Sequence, residues 1–284
     1  MHTVKTLVYE PDIRRKMGLI KSLIVMYDNM TGNWELNYQL FKRDFLQQYK
    51  KSLIGMGWLF ITPILGIISW VFMNATGILS PGDVGIPYPA YVLISTTIFA
   101  LFQSFYTGAS GTLSAGSGFI SQVNYPHDAL LVKQTLQQLA SFIINFIITL
   151  IVLSFFKVYP TWMIVFFPLL IIPLFLLGSA IGLVSSILTV VMPDLHRIIG
   201  VLMGLLLYIT PVIYSSKISN PTLQRVIEWN PLTYLVGGVR DAIIYGRIEH
   251  LDRFLIVSAI SLILFCMAWR FFYVSEQKVI EKMI

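Results

Sequence analysis

Charge is scarce in this chain. Only 12% of its 284 residues are Asp, Glu, Lys or Arg, against roughly 25% in a soluble domain. The charges that exist are bunched. The longest interval without any lies between Asp83 and Asp128. Others separate Lys51 from Asp83, Lys133 from Lys157, Lys157 from Asp194, and Arg197 from Lys217. A helix needs about 20 apolar residues to cross hydrocarbon, so these intervals predict an integral membrane protein rather than a soluble one. The strand alternation of a membrane barrel is also missing.

Other absences narrow the function. One cysteine, Cys266, rules out an internal disulfide, and its apolar setting reads as packing or lipid contact. The four histidines, His2, His127, His196 and His250, are scattered and suggest no metal site. No Gly-Lys dipeptide occurs, so there is no Walker A phosphate loop, and neither HExxH nor GxSxG is present. No Asp, Glu, Lys or Arg falls in the middle of an expected span, where ion-coupled carriers bury one. Uphill transport would then draw its work from another subunit. No signal peptide is visible, because the short run Leu23–Met26 lacks a following cleavage site. The net charge of +6 is explained by topology, not by nucleic acid.

What is present reads as an all-α membrane protein. Six transmembrane helices are expected, near Leu53–Leu79, Tyr88–Ser110, Val132–Phe156, Thr161–Val191, Ile198–Tyr214 and Phe254–Phe272. Placing both termini in the cytoplasm puts fourteen Lys and Arg inside and six outside, as the positive-inside rule prefers. The fourth span is too long: thirty residues measure about 45 Å against about 30 Å of hydrocarbon. It is expected to tilt or to project inward, with kinks at Pro168 and Pro173. The organisation expected is a cytoplasmic region over 1–52, a six-span domain over 53–274 and a tail over 275–284.

Three segments flank the spans. Trp34, Tyr38, Phe41, Phe45 and Tyr49 recur at four- and three-residue intervals, with Lys42, Arg43, Asp44 and Lys51 elsewhere around the helix. That pattern predicts an amphipathic helix lying in the headgroup plane. Gly55 and Gly57 then allow a bend into the first span. The loops SGFISQVNYPHDALLVKQ and VVMPDLHRIIG are candidates for short cytoplasmic helices, the first capped by Asn124 with Pro126 behind it. In NPLTYLVGGVRDAIIYGR, Asn230 suits an N-cap, Pro231 the first helical position and Gly246 the stop. Its apolar run is too short to cross, which predicts a re-entrant helix acting as an outer lid. Arg240 and Asp241 are adjacent, so each is expected to pair with another element rather than with its neighbour.

The pattern Arg43-Asp44, Tyr49-Lys50, Ser52, Gly55, Trp58 and Pro63 resembles the entrance of ABC-2 permeases that export bacterial surface polysaccharides. Tyr125-Pro126, Asp194, the TPVIY that ends the fifth span, NPLT and Arg240-Asp241 continue the resemblance in order, from Trp34 to Phe272. It implies the bacterial inner membrane and a homodimer joined to two copies of a separate ATPase, which binds the ATP and Mg. It also implies a polyprenyl-diphosphate-linked glycan, an O-antigen, teichoic acid or capsule, passing between the two permeases. Contact with the ATPase is implied for the helix from Trp34 and for Tyr125, Pro126, His127 and Asp128, with Asp194 and His196 at the next cytoplasmic turn. The chain departs from the family at Pro193-Asp194, where Arg-Asp is common, and at His127-Asp128, where other charged residues often stand. The gate is expected at Asn230, Pro231, Arg240 and Asp241. Phe99, Phe102, Phe105, Tyr106, Tyr208 and Tyr214 are candidates to stack on a sliding sugar polymer. A drug or lipid exporter of the same architecture, an intramembrane glycan-processing enzyme and a passive channel are the competing readings. The enzyme would need a convergent acidic or histidine cluster, and none is seen.

Overall fold

The computed structural model describes residues 13–50, 54–77, 82, 84–113, 127–216 and 220–280. Among them every regular element is helical: α1 Ile13–Lys16, α2 Leu19–Gly32, α3 Trp34–Lys50, α4 Trp58–Ala75, α5 Tyr88–Ser110, α6 His127–Phe155, α7 Phe167–Leu170, α8 Ile172–Val191, α9 Pro193–Ile209, α10 Pro221–Trp229, α11 Pro231–Tyr245 and α12 Leu251–Ile280. Four helices are long and apolar enough to cross a membrane, over Tyr88–Ser110, Leu130–Phe155, Trp162–Val191 and Leu251–Glu276. The chain is therefore a multi-pass membrane protein. The helices α4 and α9 are apolar but shorter, at 18 and 17 residues.

The bundle is built around α5 and α8. Gly178 and Gly182 make their close approach possible. A Cβ at Gly178 would stand 2.8 Å from the Phe102 carbonyl oxygen, and one at Gly182 would stand 2.5 Å from that of Tyr106. Small residues one turn apart let two backbones meet, which is how membrane helices gain packing energy where lipid offers no hydrophobic drive. On its other side α8 packs against α12, while α6 and α4 lean on α5. Phe142, Phe146 and Phe167 stack where α6 meets α7, with Phe146 and Phe167 centroids 4.3 Å apart.

Several boundaries differ from those the sequence suggested. Trp162–Val191 forms one 30-residue span, and it is interrupted where Pro168 and Pro173 were expected to kink it. Each proline sits in the first turn of its own helix, α7 and α8, where a missing N–H is tolerated. The segment before them, Trp162–Phe166, is a 3-10 turn. The helix α12 is also over-long: its 30 residues measure about 45 Å. The helix runs on through the boundary expected at 274. The loop VVMPDLHRIIG holds no separate short helix; Met192 alone leaves the helical region and Pro193 opens α9 directly. Gly55, in the 3-10 turn that leads into α4, takes φ +56°, a conformation glycine adopts without strain.

The N-terminal segment also folds. Ser22 and Met26 of α2 are fully buried against α6 and α12. The Arg14 guanidinium donates to Glu276 near the end of α12 and lies 4.5 Å over the Tyr273 ring.

Candidate functional site

Polar side chains with work to do gather at the two ends of the bundle. At one end α3 docks on α6. Asn37 and Leu40 are buried on its inner face, and Lys133 of α6 reaches the Asp44 carboxylate. Arg43 Nε donates to the same group at 2.8 Å. Burial alone would raise the Asp44 pKa, but hydrogen bonds from Lys133 and Arg43 outweigh it and hold the carboxyl below its usual range. Asp44 is thus turned toward the bundle, not simply set on a wet face. Tyr38, half-buried Phe41 and half-buried Phe45 form a continuous run along the flank of the inner face, with ring centroids 6.1 and 5.7 Å apart. Trp34 and Tyr38 are exposed. The Tyr49 side chain lies outside the described residues.

Tyr125 and Pro126 fall outside the described residues, as does Asn124. His127 and Asp128 open α6, and their side chains are likewise undescribed. Asp194 is exposed and 3.5 Å from Arg197, one turn on. His196 Nδ1 lies 2.8 Å from Ser185 Oγ, which is 3.3 Å from the Tyr106 hydroxyl. The first turn of α9 is thereby tied to α8 and α5.

At the other end, Asn230 accepts from the Leu232 N–H and donates to Thr210 at 2.9 Å. It caps α11 and anchors it to the end of α9. Pro231 sits in the first turn, and Gly246 ends the helix at φ +66°. Arg240 and Asp241 do pair with each other, contrary to expectation: Arg240 Nε donates to Asp241 Oδ1 at 3.0 Å. Adjacent positions point apart, but a long guanidinium stem curls back when both groups are buried. Arg240 also donates to the Tyr91 hydroxyl at 2.7 Å and to the Pro211 carbonyl at 3.3 Å, and lies 4.6 Å over the Tyr91 ring. The Tyr91 hydroxyl is 2.9 Å from the Tyr214 carbonyl oxygen. One buried hub therefore joins α5, the segment after α9, and α11.

The aromatic candidates divide. Phe99, Phe102 and Tyr106 are buried in the protomer, at 3%, 0% and 6% exposure. They pack toward α8 and the core, because the glycines of α8 draw that face of α5 inward. Tyr208 is 60% exposed, and Tyr214, half-buried, donates to its carbonyl oxygen at 2.9 Å. The sequence reading passed over the line Thr96, Ala100, Gln103 and Thr107 of α5, exposed at Ala100 and Thr107 and half-buried at the other two. Their spacing of four, three and four residues marks one helical face, and three of the four are polar. Gln103 donates to the Met203 carbonyl of α9 at 2.6 Å. A polar line on the open side of a membrane helix offers hydrogen bonds where lipid would want none.

The ABC-2 type transporter profile matches residues 35–244, from α3 to the end of α11. The chain belongs to the ABC-2 type transporter family. It is 21% identical over 228 residues to the O-antigen export system permease protein RfbA of Myxococcus xanthus, covering 79% of this chain and 86% of the relative. RfbA of Klebsiella pneumoniae is also 21% identical, over 80% of this chain and 87% of its own. The polysialic acid transport protein KpsM of Escherichia coli is 21% identical over 74% and 81%. These homologues are transport subunits rather than enzymes. In this ABC-2 permease the docked helix α3, the polar line of α5 and the α11 hub all lie within the family's span. The clasp of α1 and α2 on α12 lies outside it.

Proposed function

We propose that this chain is the membrane subunit of an ATP-driven exporter of a surface polysaccharide carried on a polyprenyl diphosphate. The observation that carries this is its homology to O-antigen and polysialic acid permeases over roughly three quarters or more of its length. Two copies of the chain join two ATPase subunits, which hold the ATP and Mg. Each permease spans the bacterial cytoplasmic membrane six times, with α4 and α9 as the first and fifth spans and both termini inside. The asymmetry of fourteen basic residues against six supports that orientation. The polymer slides between the two copies, past Thr96, Gln103 and Thr107 of α5 and Tyr208 of α9. A sliding chain needs many weak hydrogen bonds and stacking contacts, not a tight pocket. On the cytoplasmic side α3, with Arg43 and its aromatic row, lies in the headgroup plane beside the ATPase. Tyr125, Pro126, His127, Asp128, Asp194 and His196 present the docking surface. The re-entrant α11 is the outer gate.

The purified chain is expected to hydrolyse no ATP alone and to do so once the ATPase is added. A strain lacking the chain should lose polymer from its surface, and Gln103→Leu should restore that polymer poorly at matched expression. Full surface polymer without the chain would sink the reading.

A further inference from the structure

An open cleft of about 1040 Å³ lies at the α11 end of the bundle, between α10, α11 and α12. It is at the upper limit of the roughly 300–1,000 Å³ usual for ligand pockets. Its lining includes Arg240 and Asp241 of the hub but no residue of α5. The proposed polymer path therefore does not explain it.

The cleft changes character along α12. Its rim carries Glu228, Glu249, Asp252 and Arg253, and its deeper wall carries Ile256 and Ile260. From Arg253 to Ile260 is about 10 Å along the helix axis. Ionic groups thus give way to apolar ones over the distance in which a leaflet passes from headgroup to hydrocarbon. A soluble sugar gains nothing from the isoleucine wall, whereas an acyl chain does. With Asp241 and Arg240, which also line the cleft and pair with each other, four carboxylates stand against two guanidiniums, and the lining is acidic on balance. That disfavours an anionic headgroup or a free phosphate. A headgroup bearing both charges can give its amine to the carboxylates and its phosphate to Arg253.

The helix α11 keeps the space open. Gly237 lines the cleft, and a Cβ there would meet only the Arg240 guanidinium, at 3.7 Å. Its neighbour Gly238 is required for packing, since a Cβ would stand 2.7 Å from Phe254. Gly237 has no such constraint, and what its missing side chain leaves is room in the cleft.

We propose that this cleft seats a phospholipid with a zwitterionic, amine-bearing headgroup of the phosphoethanolamine type, its chain lying along Ile256 and Ile260. The lipid comes from the leaflet at the α11 end and braces α11 against α12. The proposal uses the membrane setting of the chain and is independent of its cargo.

Native mass spectrometry of the full-length chain in detergent tests it, with phosphatidylethanolamine, phosphatidylglycerol, inorganic phosphate and a neutral oligosaccharide added separately. Phosphatidylethanolamine should be retained severalfold better than the other three. Gly237→Leu, which narrows the cleft beside Ile256 and Ile260, and Arg253→Gln, which removes the phosphate partner, should each cut that retention severalfold. Arg253 is exposed, so the second variant keeps the test decisive if the first folds poorly. Equal retention of the two lipids, or unchanged retention in both variants, overturns the proposal. So does preferential binding of phosphate or oligosaccharide. A Gly237→Leu chain that loses self-association while its lipid content is unchanged would mean that a second copy fills the cleft, and overturns it too. Failure of the export reading would leave all these outcomes readable.

Discussion

Arg240 shows how a buried charge pair constrains its neighbours. Its guanidinium is balanced by Asp241 and hydrogen-bonded to Tyr91 and Pro211. Arg240→Ala would leave a buried carboxylate without its cation, at a cost of roughly 3–5 kcal/mol. Replacing both by apolar residues, Arg240→Met with Asp241→Leu, should recover most of that loss. Thermal unfolding in detergent checks both, and equal stability of the single variant and the parent would refute the hub. The sequence could not show this pairing, because adjacent helix positions normally point apart and only burial makes the side chain curl back. Asp44 behaves differently, being partly exposed. Its folded pKa lies below the ordinary aspartate value of 3.8. Its contribution to docking α3 is therefore complete above that value and is lost as pH falls through the lowered folded pKa. Hydrogen exchange in α3 should stay slow at neutral and mildly acid pH. Asp44→Asn should speed it at neutral pH, and no difference there would remove the Lys133 link.

Helices and their caps were legible in the sequence more fully than their faces. The start of α11 at Asn230 and Pro231 and its stop at Gly246 are written in residue types whose backbone preferences are local. Phe99, Phe102 and Tyr106 were not legible as core. Aromatics at helical spacing look the same whether they meet a sugar, a lipid or a neighbouring helix. The deciding signal lay about a quarter turn round α5, where Thr96, Gln103 and Thr107 form a less covered polar line. The helix α2 was also missed. Its apolar run is short, and what fixes it is tertiary, the burial of Ser22 and Met26. The contact of α5 with α8 gives the clearest test at this scale. Gly182→Ala would place a methyl 2.5 Å from the Tyr106 carbonyl oxygen and 2.6 Å from the Ala109 Cβ. Backbone cannot yield cheaply there, so overpacking should cost roughly 1–3 kcal/mol. A measured unfolding temperature equal to that of the parent would mean that the helices are not held at this distance.

Among the described residues, two apolar helix faces of the protomer are left uncovered. Ile64, Leu65, Ile68 and Phe72 are exposed on α4, and Ile198, Val201, Leu205 and Tyr208 on α9. Lipid alone could cover both. Yet α9 also carries Gly200 and Gly204, where an added Cβ would meet no atom within 4 Å. The protomer does not use these glycines as it uses Gly178 and Gly182. Small residues one turn apart on an open membrane helix permit a second helix to come close. The proposed homodimer supplies that helix, and a seam along α4 and α9 would bring two Gln103 lines toward a shared path. The glycine pairs then separate fold from assembly. Gly200→Leu with Gly204→Leu should leave the unfolding of the protomer unchanged, because nothing within it is displaced. The same double substitution should shift the purified chain from dimer to monomer in mass measurements and lower surface polymer in cells. A dimer that survives it intact would move the seam away from α9, and with it the place of Tyr208 in the polymer path.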